Sequence, residues 1–159
     1  MHEFRIGNVA YGDPEVNEWG DETSVRTFDQ TELRLLDFAR EPGTSFRYLY
    51  DFGDHWEHVI TVEKLLGLDI APRTATCIDG ALARPPEDVG GVSGYEEFLA
   101  VMSDPSDPEH RSMKRWSGGH FDPAWFDLAM VDKDVRNALK PNVRRRLQQP
   151  KPKRAPLLS

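Results

Sequence analysis

The sequence predicts an α+β domain: a small antiparallel sheet built round a β-hairpin over residues 46–63 and packed by several short helices. Side chains alternate with a period of two from Phe46 to Phe52, and again from Trp56 to Glu63, as in half-buried strands. Gly-Asp between the two runs favours a turn. Further along, Asp-Pro and Gly-Gly pairs mark the ends of several short helical segments.

A strand and a short helix are predicted before the hairpin. Residues 2–11 are typical of a strand followed by a turn. Asp29 is a good N-cap for a helix over about residues 30–39, and Glu41-Pro42-Gly43 ends it. The predicted apolar stripe of this helix consists of Leu33, Leu35 and Leu36.

The register of the hairpin follows from placing its aromatic side chains on one face. A two-residue loop would mix aromatic and charged residues on that face. A three-residue loop, Gly53 to His55, pairs Phe52 with Trp56 and Tyr50 with His58. Because a one-residue slip moves every side chain to the other face, we predict the three-residue loop.

This register predicts a crowded acidic tip. Asp51 would lie directly opposite Glu57, where like charges are destabilising, and Asp54 and His55 would lie in the adjoining loop. Two facing carboxylates need an arginine, a shared proton or a divalent cation. One hypothesis is therefore a metal site, and the other is a solvated tip neutralised by Arg47 or another basic residue.

A proline- and glycine-rich loop is the second candidate region. Arg84-Pro85-Pro86-Glu87-Asp88-Val89-Gly90-Gly91 begins with two stiff residues and ends with two permissive ones. Such a loop presents Glu87 and Asp88 in a defined place. Alternatively, Asp88 bonds only its own turn.

Three helices, and a helical turn that begins at Asp122-Pro123, are predicted in the C-terminal half. Ser93 begins a capping box and a helix to about Met102, a second helix should end at Trp116, and Asp132 should cap a last helix that Pro141 interrupts. The aromatic residues at helical spacing are predicted to form core: Tyr95, Phe98, Trp116, Phe121, Trp125 and Phe126.

Charge is distributed unevenly along the 159 residues. The net charge is −7, yet from Lys140 onward every charged residue is basic. We predict a domain over 1–143 and a basic, proline-rich disordered tail over 144–159. An acidic body is a poor nucleic-acid surface, but the tail can contact phosphates weakly. Its candidate residues are Arg144, Arg145, Arg146, Lys151, Lys153 and Arg154.

Composition indicates a cytoplasmic protein. The only cysteine, Cys77, excludes an internal disulfide and is best interpreted as a structural thiol. No apolar run approaches the ~20 residues needed to cross a bilayer. Asp51-Phe52-Gly53 matches the magnesium-binding tripeptide of protein kinases, but the other kinase motifs are absent from the sequence. Walker and His-Glu-x-x-His motifs are absent as well.

The motifs do resemble a known family. Tyr50 to His58, Cys77-x-Asp-Gly, Pro85 to Tyr95 and Phe121-Asp122-Pro123-x-x-Phe126-Asp127 are similar to the plasmid pRiA Orf-three-like family, over about His2 to Leu139. The resemblance implies an α+β domain of uncharacterised role. Some relatives are labelled TnpR because they accompany an insertion sequence, which implies a role accessory to mobile DNA.

The sequence therefore supports two functional hypotheses. The first is a protein-binding or mobile-DNA-accessory domain with a protein partner or a second copy of itself. The second is a metal-dependent hydrolase that uses the carboxylates Asp51, Asp54, Glu57, Glu87 and Asp88, with Asp51, Glu57 and Asp88 as candidate metal ligands. The candidate functional surface comprises Asp51, Asp54, His55, Glu57, His58, Glu87 and Asp88, and no catalytic residue is assigned.

Two departures from the family pattern matter. Family members often have a second cysteine where this chain has Val89, so the resemblance implies no two-thiol site here. Relatives usually have a strand and a helix before the His-Glu-Phe that follows Met1. We therefore expect an N-terminally truncated version with an exposed sheet edge, which invites association.

Overall fold

The computed structural model of the protein describes residues 1–17, 27–70, 72–138, 140 and 148–152. Five strands form within these residues: β1 (His2–Ile6), β2 (Val9–Gly12), β3 (Thr27–Asp29), β4 (Ser45–Tyr50) and β5 (Trp56–Thr61). The α-helices there are α1 (Pro14–Asn17), α2 (Leu35–Phe38), α3 (Gly91–Ser103), α4 (His110–Trp116) and α5 (Leu128–Asn137). The predicted α+β class is confirmed. None of the helices in the described ranges has the length and apolar composition needed to cross a membrane.

The strands form one sheet in the order β3-β2-β1-β4-β5. β1 is antiparallel to β2 and to β4, and β4 is antiparallel to β5, as the hairpin pattern predicts. β2 and β3 are parallel, so the predicted small antiparallel sheet is a mixed sheet with one parallel pairing at this edge. The physical reason is the long connection over residues 13–26, since parallel strands need a crossover of a dozen residues or more.

The described residues group into two compact units. The first contains Met1–Asp69 together with Gly90–Val92, and it includes the whole sheet. The second contains the described residues of Ile70–Val89 and those from Ser93 onward, and it includes α4, α5 and most of α3.

The two faces of the sheet differ in composition. One face holds a cluster of rings: His2, Phe4, Phe46, Tyr48 and His58. Phe38 from α2 packs edge-on against Phe46 at 4.9 Å between ring centroids. On the other face Ala10, Leu49 and the carboxylate residue Glu3 are buried. The aromatic alternation thus does select one face of the hairpin.

The predicted helix over residues 30–39 is wrong, although its cap is correct. Asp29 Oδ1 accepts a hydrogen bond from the Thr31 amide at 2.8 Å, but only a 3-10 turn follows. Extended backbone at Leu33 and Arg34 then separates this turn from α2. The break turns the leucine stripe outward, leaving Leu36 70% exposed, while Ala39 is buried.

An aromatic core forms in the second unit. Phe98 on α3 is 1% exposed, and its ring lies 5.1 Å from that of Phe121, 5.9 Å from that of Trp116 and 6.3 Å from that of Tyr95. The predicted core role is confirmed for Phe98. Trp116 lies at the rim and is partly exposed.

Two helix starts differ from prediction. α3 begins at Gly91, two residues before the capping box at Ser93. α5 is capped by Asp127, whose Oδ1 accepts from the Met130 amide at 3.0 Å. The predicted cap, Asp132, is wrong because its carboxylate is already within the helix and binds Arg136 at 2.7 Å.

Candidate functional site

The tip of the β4–β5 hairpin is a five-residue loop, Asp51 to His55. Asp51 and His55 both have positive φ, 56° and 55°. The His55 amide donates to the Asp51 carbonyl oxygen at 2.6 Å, and Asp51 Oδ1 accepts from the Gly53 amide at 3.0 Å. Short polar residues such as Asp tolerate this left-handed backbone better than most, so Asp51 ends β4 and begins the loop.

The predicted register is therefore wrong by two residues. Tyr50 pairs with Trp56, and Tyr48 pairs with His58. A two-residue shift keeps every side chain on its predicted face but moves Asp51 away from Glu57, which lies opposite Leu49 instead. The predicted facing of two carboxylates does not occur.

Glu57 has a basic partner. Arg47 Nη1 lies 3.5 Å from Glu57 Oε2, and both side chains are partly exposed. This contact agrees with the alternative hypothesis of a tip neutralised by Arg47. Such an exposed ion pair contributes little to stability, about 0–1 kcal/mol.

Asp54 connects the tip to the segment Gly90–Val92 of the same unit. Asp54 Oδ2 accepts a hydrogen bond from the Gly90 amide at 3.3 Å. Gly91 has φ +67°, and a side chain there would overlap the Asp54 carbonyl oxygen. These contacts explain why a glycine pair follows the proline-rich loop: the backbone must approach the tip closely.

The two histidines of the candidate surface lie in different parts of the hairpin. His58 is exposed on β5, and its ring lies 5.7 Å from that of Tyr48, with Nδ1 3.3 Å from the Tyr48 carbonyl oxygen. His55 is exposed in the loop. The alternation of side chains along a strand applies to His58. It does not apply to His55, because His55 lies in the loop before β5.

Glu87 and Asp88 belong to the second unit, whereas the tip residues belong to the first. Glu87 Oε1 is 3.0 Å from Arg84 Nη1. Asp88 is exposed and has φ +57°. The composite surface formed by tip and loop stays a prediction.

Metal ligation by the candidate carboxylates has no geometric support. Across the ranges that the structure describes, no group of three or more His, Cys, Asp or Glu side chains could hold a metal ion. The metal set Asp51, Glu57 and Asp88 stays a prediction, and it has lost the facing pair that motivated it. Cys77 is free and donates to the Asp79 carbonyl oxygen at 3.4 Å.

Most of the basic tail lies outside the described residues, namely Arg144, Arg145, Arg146, Lys153 and Arg154. Lys151 is described and exposed. Nearby, the Gln149 side chain accepts from the Asp122 amide and donates to the Asp122 carbonyl oxygen, both at 2.8 Å. Weak nucleic-acid contact through the tail stays a prediction.

The outer edge of β5 is a feature that the motif analysis missed. Among the strands of the described chain, only β4 is hydrogen-bonded to β5. The Val62 amide donates to the Thr44 carbonyl oxygen at 2.8 Å. Hydrogen-bonded pairs alternate along an antiparallel ladder, so the even-numbered residues of β5 direct their backbone groups toward β4. Glu57, Val59 and Thr61 then direct theirs outward. Val59 on this edge is 67% exposed.

Comparison with known proteins identifies the family. The family described as plasmid pRiA4b ORF-3-like protein matches residues 1–130. The chain belongs to this family. An uncharacterised protein of Sinorhizobium fredii, y4hQ, is 35% identical over 137 residues, which cover 85% of this chain and 68% of that protein.

A solved relative supports the fold of this pRiA4b ORF-3-like chain. The crystal structure of MM3350, a protein of unknown function from Methanosarcina mazei, has a TM-score of 0.65 and 31% identity. The match covers 85% of this chain and 72% of that one. Both relatives are described as uncharacterised or of unknown function, and they give no support to a metal-dependent hydrolase.

The motifs of this ORF-3-like chain also meet in the second unit. Phe126 lies so close to Gly80 that a side chain at Gly80 would overlap its ring. The Cys77 amide donates to Asp132 Oδ1 at 3.0 Å. Beside them is a largely apolar cleft of about 430 Å³, whose lining includes Leu82, Trp125, Phe126, Met130 and Val135. The downstream motifs therefore have packing roles.

Proposed function

We propose that this chain is a protein-binding module that binds a second copy of itself by adding strand to strand along the outer edge of β5. The observation that supports the proposal is the open edge itself. Backbone donors and acceptors of an edge strand form a template for another strand. β5 has no proline or lysine, the residues that often protect such edges.

The side chains of β5 suit antiparallel pairing with an identical strand. With Val59 opposite Val59 of the second copy, His58 faces Ile60 and Glu57 faces Thr61. All of the outward backbone groups then meet in hydrogen-bonded pairs. Shifting the partner strand by two residues in one direction would place His58 opposite His58 of the second copy. Shifting it by two more residues would place Glu57 opposite Glu57 of the second copy, which is unfavourable. The pairing centred on Val59 avoids every like-charge contact.

The strength of this association should be modest. A single strand edge buries less than the ~1,200 Å² that stable interfaces reach, so a transient dimer is expected. Its hydrogen bonds, worth about 0.5–1.5 kcal/mol each, must offset the entropy lost on association. The module is therefore suited to reversible assembly.

Sedimentation velocity on the full chain tests the proposal. Wild type should shift from monomer toward dimer between about 10 μM and about 1 mM, a range typical of weak association. Val59→Pro removes one outward amide, and proline is tolerated on edge strands, so this variant should stay monomeric. Val59→Thr keeps the amide and the β-branched shape and should still dimerise.

Circular dichroism and thermal melting should show that all three proteins are folded. Wild type that remains monomeric over the whole range would overturn the proposal. Dimerisation of Val59→Pro equal to that of wild type would also overturn it, because the association would then use a different surface.

A cytoplasmic location is part of the same proposal. The single thiol, Cys77, needs no oxidising compartment.

A further inference from the structure

A pair of arginines lies on the face of the sheet opposite the aromatic cluster. Arg5 on β1 is directly opposite Arg47 on β4. The Asp51 amide donates to the Met1 carbonyl oxygen at 2.9 Å, so this odd-numbered row consists of hydrogen-bonded pairs, whose Cα atoms are about 5.5 Å apart. Like charges directly opposite one another destabilise a sheet. An arginine pair at these positions is therefore unfavourable unless opposite charge lies close to it.

Among the described residues, each arginine contacts one carboxylate. Arg5 Nε binds Glu3 Oε1 at 2.7 Å, and Glu3 is only 7% exposed. Arg47 Nη1 lies 3.5 Å from Glu57 Oε2. A guanidinium has five N–H donors, so most donors of both groups are not used by these two contacts. The arginine side chains remain 44% and 59% exposed, respectively.

These two guanidinium groups line an open cleft of about 660 Å³ in the first unit. Its lining consists of Arg5, Gly7, Asn8, Val9, Ser45, Arg47 and Val59. Among the described residues of this lining, the charged groups are the two arginines, and neither Glu3 nor Glu57 belongs to it. The amide of Asn8 and the hydroxyl of Ser45 add polar groups, and two valines add apolar surface.

We propose that this cleft binds a small phosphorylated organic molecule. Guanidinium groups recognise phosphate through paired N–H donors, and two of them match a dianion better than a monocarboxylate. A volume of this size is in the range of sites for small organic ligands, so the cleft exceeds what inorganic phosphate needs. The valines would contact the organic portion. An anion between the arginines would also relieve their repulsion.

Titration calorimetry with phenyl phosphate tests the proposal, with inorganic phosphate and benzoate as comparison ligands at equal ionic strength. Wild type should bind phenyl phosphate more tightly than either comparison ligand. Arg47→Gln should weaken binding by about tenfold or more, because it removes charge-assisted hydrogen bonds. Arg47→Lys keeps the charge but loses the planar fork, and it should bind with intermediate affinity.

Arg40→Gln is the matched control, since Arg40 is an exposed arginine of the same unit that donates to the Leu36 carbonyl oxygen. It should leave binding unchanged. Arg5 is kept, because its removal would take away the ion pair that it forms with the buried carboxylate of Glu3. Equal losses in the Arg47 and Arg40 variants would overturn the proposal, since binding would then follow net charge alone. Absence of phenyl phosphate binding to wild type would also overturn it.

Inorganic phosphate that binds as tightly as phenyl phosphate would overturn the organic part of the proposal. Neither arginine substitution changes an outward amide of β5. The result is therefore separate from the test of strand addition.

Discussion

Substituting Gly91 by alanine tests the contact between the hairpin tip and the start of α3. Gly91 has φ +67°, and the alanine Cβ would overlap the Asp54 carbonyl oxygen. A backbone carbonyl cannot rotate out of the way like the end of a long side chain. The tip or the segment around Gly91 must therefore move, and the Gly90–Asp54 hydrogen bond of 3.3 Å would be lost or lengthened.

The size of the effect follows from two contributions. A left-handed backbone costs a non-glycine residue about 1–2 kcal/mol. Overpacking against a fixed group adds about 1–3 kcal/mol. We therefore expect Gly91→Ala to lower the free energy of unfolding by roughly 2–5 kcal/mol, which is a large part of the ~5–15 kcal/mol of a typical domain.

Gly7→Ala provides a matched control. Gly7 has a similar φ, +58°, but a Cβ there would meet nothing within 4 Å. It should lose only the backbone contribution of about 1–2 kcal/mol. Urea unfolding followed by tryptophan fluorescence measures both variants. Equal destabilisation by the two substitutions would refute the close approach of Gly91 to Asp54.

Two further predictions concern the second unit. Phe98→Ala should lower the free energy of unfolding by about 3–5 kcal/mol, because the ring is almost fully buried. Val92→Ala, at the exposed start of α3 in the first unit, should change it by less than about 0.5 kcal/mol. Urea unfolding distinguishes the two variants, and equal effects would contradict the aromatic core. The Arg136 side chain, together with the Cys77 amide, holds the pKa of Asp132 below its usual range. Stability from the ionised carboxylate is then fully present above the unfolded pKa of about 3.9 and is lost as pH falls through the lower folded value. The difference in melting temperature between wild type and Asp132→Asn should therefore shrink as pH falls below about 3.9, and a constant difference would contradict this assignment.

The sequence was sufficient to predict the hairpin and its faces but not its register. Alternation has a period of two, so it determines which side chains share a face and cannot distinguish registers that differ by two residues. The deciding event is the left-handed conformation of Asp51, which ends β4 early. In the same loop, Asp54 contacts Gly90 and Gly91, which are distant from it in sequence.

The same limit explains the outcome at the candidate site. Asp51 and Asp54 lie in the loop at the tip, whereas Glu57 lies in β5. The predicted crowding of Asp51 and Glu57 depended entirely on the register. The prediction of a helix after Asp29 was wrong for a different reason, because the stability of a short helix depends on tertiary packing more than on intrinsic propensity. Burial of Phe38 against Phe46 determines where α2 lies, and the leucine pattern does not.

Amide hydrogen exchange along β5, followed by NMR as a function of protein concentration, tests the open edge most directly. In dilute protein, the amides of Glu57 and Val59 should exchange rapidly, whereas those of His58 and Ile60 should be protected by β4. The outward amides should gain protection as concentration rises. Strong protection of Glu57 and Val59 already in the dilute monomer would contradict the account, because another part of the chain would then cover the edge.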